Sequence, residues 1–290
     1  MDLLTSGYGL IEGPVWDPER GLLFSDVQGG GVFAVTDDGD VSTVFEHRRG
    51  IGGMAGHTSG TGMIVSGRNI AFKPFDGGPT VELLAQDAGG RTAGFNDITT
   101  DAAGRIYAGE LGASPFAEDR GQIAGVLWLI DLDGSARVVA EDVLLTNGLG
   151  FSPDGRTLYH SDSIRQTVYR YEVHDDGSLG DKRPFVETER GVPDGLVVSE
   201  DGAVWVALAS GGAGVGVYEP DGHTRTFIDT PLPMCTSVCF GGAGLDRLYI
   251  VSGSEGTGSD RAGAVWVIDT DVAGLPVPPC TIGVEQGPSR

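Results

Sequence analysis

A strand–turn–strand unit recurs six times along this 290-residue chain, opening at Glu12, Gly52, Asn96, Asn147, Asp194 and Thr236, with 40 to 51 residues between successive openings. A copy such as Asn147-Gly-Leu-Gly-Phe-Ser-Pro-Asp-Gly-Arg-Thr-Leu-Tyr-His gives a short apolar strand, a turn of Pro, Asp and Gly, and a second strand. Asp194-Gly-Leu-Val-Val-Ser-Glu-Asp-Gly-Ala-Val-Trp-Val-Ala repeats the plan. The period is that of propeller blades, each a four-stranded sheet, and one such sheet cannot bury both faces alone. Between the copies lie further hairpins with Asp-Gly turns, as in Val126-Leu-Trp-Leu-Ile-Asp-Leu-Asp-Gly-Ser-Ala-Arg-Val-Val-Ala. The reading is an all-β, six-bladed β-propeller with a central metal-binding channel, a single domain over residues 1–290. The terminal strands are expected to share the last blade, because an open ring would leave unpaired sheet edges.

Composition narrows the function. The 49 glycines are scattered through turns, with no collagen-like period. With 41 acidic against 19 basic side chains, the formal charge of −22 repels phosphate backbones and anionic membranes, so neither nucleic acid nor a membrane is an expected partner. Neither of the two lysines, Lys73 and Lys182, follows a Gly-rich turn of P-loop type. No apolar run reaches the roughly 18 to 20 residues that span a bilayer, and Met1-Asp2-Leu3-Leu4-Thr5 has no signal-peptide character, which points to the cytoplasm. Cys235, Cys239 and Cys280 show neither metal-pair spacing nor an even disulfide set, in keeping with a reducing compartment.

Four openings carry a side-chain oxygen: Glu12, Asn96, Asn147 and Asp194. The first strand of each blade lines the channel, so residues at equal phase converge at one mouth. Two carboxylates and two amide carbonyls, with no His or Cys, suit one hard divalent cation. Calcium is the favoured ion, with Mg²⁺, Mn²⁺ and Zn²⁺ as alternatives. Asn147-Gly148 and Asp194-Gly195 could each be a hairpin turn. The turns of these units are already supplied downstream at Asp154-Gly155 and Asp201-Gly202, however, which leaves Asn147 and Asp194 at strand openings. Asp97 reads equally as an acceptor supporting the ligands or as a turn cap. His160 reads as a structural residue of its strand, and no Gly-x-Ser-x-Gly elbow marks a serine hydrolase.

The segments Glu12-Gly-Pro-Val-Trp, Phe95-Asn-Asp, Thr146-Asn-Gly-Leu, Tyr159-His-Ser-Asp-Ser, Val192-Pro-Asp-Gly-Leu, Val204-Trp-Val-Ala and Thr236-Ser-Val-Cys-Phe-Gly-Gly together resemble, in order, the family of senescence marker protein (regucalcin), gluconolactonase and luciferin-regenerating enzyme. The resemblance implies a propeller that hydrolyses a small-molecule lactone or related ester. It implies Glu12, Asn147 and Asp194 as metal ligands, Asn96 as a substrate or water contact, and Asp194 also as general base, with the metal polarising the carbonyl. Sugar-lactone members often carry an Arg two residues before the Asn of the Asn-Asp pair, where this chain has Gly94. The departure suggests a less hydroxylated substrate. Arg68 stands either as a replacement guanidinium or as an ordinary surface arginine, and Met54, Phe116 and Met234 stand as candidate apolar wall residues. The long segment from Leu111 to Gly125 is a candidate rim or lid. The alternatives are a propeller whose metal serves only a binding or scaffold role, and a metal propeller with phosphotriesterase or non-hydrolytic activity.

Overall fold

The inner strands all begin at one mouth of a channel, and this common polarity is what gathers their opening residues. The computed structural model describes residues 1–86, 93–118 and 122–284. Its strands form six antiparallel four-stranded sheets. An outlying strand, β1 (Asp2–Tyr8), precedes blade 1, which comprises β2 (Ile11–Asp17), β3 (Gly21–Asp26), β4 (Val32–Val35) and β5 (Val41–Phe45). Blade 2 holds β6 (Met54–Gly56), β7 (Gly62–Val65), β8 (Ile70–Pro74) and β9 (Val81–Leu84). Blade 3 holds β10 (Gly94–Thr100), β11 (Ile106–Leu111), β12 (Gly125–Ile130) and β13 (Ala136–Val143). Blade 4 holds β14 (Thr146–Phe151), β15 (Thr157–Asp162), β16 (Thr167–Glu172) and β17 (Arg183–Glu187). Blade 5 holds β18 (Val192–Val198), β19 (Val204–Ala209), β20 (Gly214–Tyr218) and β21 (Thr224–Asp229). Blade 6 takes β22 (Cys235–Gly241), β23 (Arg247–Ser252) and β24 (Gly263–Asp269) from the end of the chain and β1 from its start. Asp2 pairs with Val267 and Leu3 with Trp266, so the ring closes through its own termini.

The alternating apolar residues of these strands are consumed between blades. Six apolar clusters fill the six interfaces between neighbouring sheets. Ile11, Phe24 and Val35 of blade 1, for example, meet Tyr249, Val251 and Val265 of blade 6. Each sheet thus buries both faces, which no blade could do alone.

Turn chemistry separates the two kinds of Asp/Asn-Gly pair. Gly39, Gly134, Gly155, Gly177, Gly202 and Gly222, each after an Asp, all have positive φ, as a tight hairpin turn requires. Gly148 and Gly195 do not, and they lie inside β14 and β18. A Cβ on Gly148 would stand 2.5 Å from the Asp194 carbonyl oxygen, and one on Gly195 would collide with the Ser237 hydroxyl. These glycines exist so that adjacent inner strands can approach closely at the axis.

At the opposite mouth the segment from 270 to 282 crosses the end of the channel. Leu275 N donates to Val198 O, Cys280 N to Gly56 O and Thr281 N to Gly104 O, so one strap ties blades 5, 2 and 3. Beneath it lies a cavity of about 550 Å³ lined by residues such as Thr100, Phe151, Arg156, Leu196 and Leu275. These sit at or near the far ends of the inner strands and their turns, away from the opening residues. No helix among the described residues is long and apolar enough to cross a membrane.

Candidate active site

The opening residues touch one another around a closed circle. A Cβ on Gly13 would lie 3.1 Å from Gly52 O, and one on Gly52 would strike the Asn96 side chain. Asn96 Nδ2 donates to Thr146 O (2.8 Å) and to Asn147 Oδ1 (2.6 Å). Asn147 Nδ2 donates to Ser163 Oγ (2.7 Å), which in turn donates to Pro193 O (2.7 Å), beside Asp194. Gly195 abuts Ser237, and Thr236 Oγ1 closes the circle by donating to Ile11 O at 2.6 Å. The structure therefore places Glu12, Asn96, Asn147 and Asp194 at one mouth.

Local irregularity aims these side chains. In each of the four oxygen-bearing blades the pairing of the inner strand with its neighbour breaks at the opening: between Glu12 and Val15, Phe95 and Ile98, Thr146 and Leu149, and Pro193 and Leu196. Such bulges re-aim side chains out of the regular pleat. In blade 2 the inner strand β6 pairs with β7 without a break and its opening offers only Gly52; blade 6 breaks likewise between Cys235 and Ser237, but Thr236 is fully buried and spends its hydroxyl on backbone carbonyls.

The electrostatics are those of a site short of positive charge. Burial, then the charges of Asp194 and Asp97, push the Glu12 carboxyl well above the usual carboxylate range. Burial and Asp97 do the same to Asp194, against one lowering backbone hydrogen bond at Gly195. Burial lifts Asp97 to about 7, opposed by the hydrogen bond from Ile98 N. Among the described residues none of the three has an ion pair. Asp194 is only 5% exposed, yet its Oδ1 is buried without a hydrogen-bond partner among the described residues. An orphaned buried oxygen of this kind is costly and calls for a partner.

These atoms fit a hard cation. Both amides spend their nitrogens on the protein, leaving Asn96 Oδ1 and the second lone pair of Asn147 Oδ1, whose first accepts from Asn96, as acceptors beside the carboxylates. Among the described residues no three Asp, Glu, His or Cys side chains form a metal-binding group by themselves, so the set depends on those amide oxygens. Glu12, Asn147 and Asp194, with Asn96, could hold one divalent ion.

Other expected residues fall as follows. Arg68 is exposed on the β7–β8 loop. Gly94 has φ of +101°, and a Cβ there would lie 2.6 Å from Gly67 O and 3.4 Å from the Arg68 Cα, so backbone geometry forbids a side chain at that place. Met54 is 5% exposed within the cluster of Leu23, Met63 and Val65, which accounts for its apolar character without any ligand. Phe116 is 62% exposed on the β11–β12 loop, and Met234 is half-buried against Gly253. The rim or lid expected of that loop includes residues 119–121, which lie outside the described residues. Sequence reasoning left Asp97 undecided, although a signal existed: it is a carboxylate at the position where blades 1, 2, 4 and 5 have Gly13, Gly53, Gly148 and Gly195. It also missed Ser163, which fixes the Asn147 amide from β15's end, and the bond between Thr146 Oγ1 and His160 Nε2 (2.7 Å). His160 is buried, and that burial lowers its pKa to about 3, so the ring is neutral and braces the strand that carries Asn147.

Fold and site together define a six-bladed propeller with an axial cluster of oxygen donors at one mouth. The chain matches the SMP-30/Gluconolactonase/LRE-like region over residues 10–254 and belongs to that family. It is 31% identical over 281 residues to pentonolactonase XacC of Haloferax volcanii, covering 92% of this chain and 93% of the relative. It is 33% identical to a 6-deoxy-6-sulfogluconolactonase of Pseudomonas putida, covering 93% and 94% respectively. The crystal structure of a calcium-binding protein, regucalcin, from Agrobacterium tumefaciens superposes with a TM-score of 0.84 over 97% of each chain, at 20% identity.

Proposed function

We propose that this protein hydrolyses a lactone at the axial oxygen cluster, using one divalent cation, calcium by preference, held by Glu12, Asn147 and Asp194 with Asn96 in direct or water-mediated contact. The observation that carries the reading is the buried, unpartnered Asp194 Oδ1 amid carboxylates that have no cationic partner among the described residues. Relatives named for pentonolactone and sulfogluconolactone hydrolysis, aligned over more than nine-tenths of the chain, support the reaction class. All-oxygen donors favour calcium, in keeping with a calcium-binding structural neighbour.

When bound, the cation supplies positive charge for the lactone carbonyl oxygen as it becomes an oxyanion. The residues of the chain do the rest. Asp194 would accept the proton of the attacking water with the carboxylate oxygen not engaged by the cation, its basicity raised by burial and then by the charge of Asp97. The water oxygen bonds to the acyl carbon, the ring C–O bond breaks, and the ring oxygen takes a proton, giving a hydroxy acid. Asn96 holds the Asn147 amide in register through its 2.6 Å bond, and Ser163 fixes the amide's other end.

The substrate class is tested by following γ- and δ-lactones, aryl esters and phosphotriesters by NMR with calcium present. Lactone opening is expected to exceed ester hydrolysis by at least roughly a hundredfold in kcat/KM, about 2.7 kcal/mol of transition-state binding. Equal turnover of phosphotriesters would point to the other chemistry, and no turnover of any lactone would overturn the reading.

A further inference from the structure

The rim of blade 2 carries positive charge that no described carboxylate pairs. Among the described residues seven arginines pair with a carboxylate and seven do not, so what sets Arg68 and Arg48 apart is their place beside the opening of blade 3. Arg68 is exposed and makes no hydrogen bond or ion pair with any described residue. Arg48, half-buried, reaches the same loop: its Nη2 donates to Ser66 O (3.2 Å) and Asn69 Oδ1 (3.0 Å), and it has no carboxylate partner among the described residues. Glu82 of β9 accepts from the Asn69 amide at 2.5 Å.

Backbone contacts place this loop against the reaction site. Gly67 forms an isolated bridge with Phe95, whose N donates to Gly67 O at 2.6 Å, and Phe95 precedes Asn96. Arg68 therefore stands on the rim beside Asn96, over the blade whose opening residue, Gly52, offers no side chain to the axis. The carboxylates Glu12, Asp97 and Asp194 belong to the inner-strand openings, Asp97 lying against Gly53 of blade 2, and Arg68 stands outward of them on the rim.

We propose that Arg68, supported by Arg48, forms a subsite for an anionic substituent of the lactone, a carboxylate or sulfonate remote from the scissile carbonyl. The inference rests on the lactonase reading and names its substrate class. A guanidinium presents a planar fork that matches a carboxylate or sulfonate with two parallel hydrogen bonds. With the anion at blade 2 and the ring carbonyl over the axis, the substrate is oriented by charge at both ends. A neutral lactone forgoes that contact.

The test compares an aldono-δ-lactone with its analogue bearing a carboxylate at the terminal carbon, in wild type, Arg68→Gln and Arg68→Lys. The wild type is expected to prefer the anionic lactone by roughly tenfold or more in kcat/KM, the preference shrinking as salt screens the charge. Arg68→Gln should cost the anionic lactone about tenfold more than the neutral one, mainly through KM, and Arg68→Lys should recover part of the loss. No anionic preference in the wild type, or equal losses for both lactones in Arg68→Gln, overturns the subsite. If neither lactone is hydrolysed, it is the lactonase reading that fails. Calorimetric titration of D-glucarate into the chelator-treated proteins then decides the subsite: tighter binding by wild type than by Arg68→Gln supports it, and equal or absent binding overturns it.

Discussion

Replacing Asp194 with asparagine is expected to lower lactone kcat/KM by roughly a thousandfold or more, about 4 kcal/mol of transition-state stabilisation, without lowering the melting temperature of the cation-free protein. The substitution is nearly isosteric, so the cluster of inner strands is not reshaped. It removes at once a ligand charge and the acceptor for the water's proton. It also removes a buried carboxylate that repels Glu12 and has an unpartnered oxygen, which is why stability should not suffer. Asn147→Ala removes one neutral donor and should cost less. Kinetics and calorimetry on the same preparations check both halves, and near-wild-type activity of Asp194→Asn would remove Asp194 from both roles.

The second large effect is on stability. Glu12, Asp97 and Asp194 all have pKa values raised above the ordinary carboxylate range, Asp97 to about 7. The folded, cation-free protein therefore holds protons that the unfolded chain releases, and its stability declines as pH rises from the ordinary carboxylate range, 3.8 for an Asp, to about 7 at Asp97. A bound cation offsets the repulsion and favours the ionised form. Calcium should then raise the melting temperature more at pH 8 than at pH 5, by roughly 5 °C at about a hundredfold over Kd, a stabilisation of about 2.7 kcal/mol. In Asp194→Asn the calcium effect should be absent and the pH trend shallower. The variant separates this cluster from the general repulsion of a highly acidic chain. A calcium shift that is equal at the two pH values would contradict the assignment.

The ring was legible because its punctuation is local. Asp-Gly turns, apolar runs of strand length and a steady period are properties of neighbouring residues, and β1 follows from the need to close an edge. Gly148 and Gly195 could be told from turn glycines because a second turn stood downstream in each unit. Asp97 was harder: its effect comes from Glu12 and Asp194, distant in sequence and close only once the blades assemble. The strap from 270 to 282 has no periodicity: backbone hydrogen bonds and a few isolated apolar anchors, Leu275, Cys280 and Ile282, hold it, a pattern too sparse to read as an element. The missing Arg at Gly94 looked like a statement about substrate polarity. The structure gives a backbone reason, a positive φ against Gly67 O, and puts Arg68 next to that place.

The central claim is that lactone hydrolysis depends on a single divalent cation held at this mouth. It is tested most directly by titrating calcium into chelator-treated wild type and Asp194→Asn in the calorimeter while following lactone opening in matched samples. The account predicts one bound calcium per wild-type chain, activity rising in proportion to occupancy, and neither binding nor activity at that site in Asp194→Asn. Full lactone hydrolysis by wild type that carries no divalent metal, or undiminished calcium binding by Asp194→Asn, would contradict it.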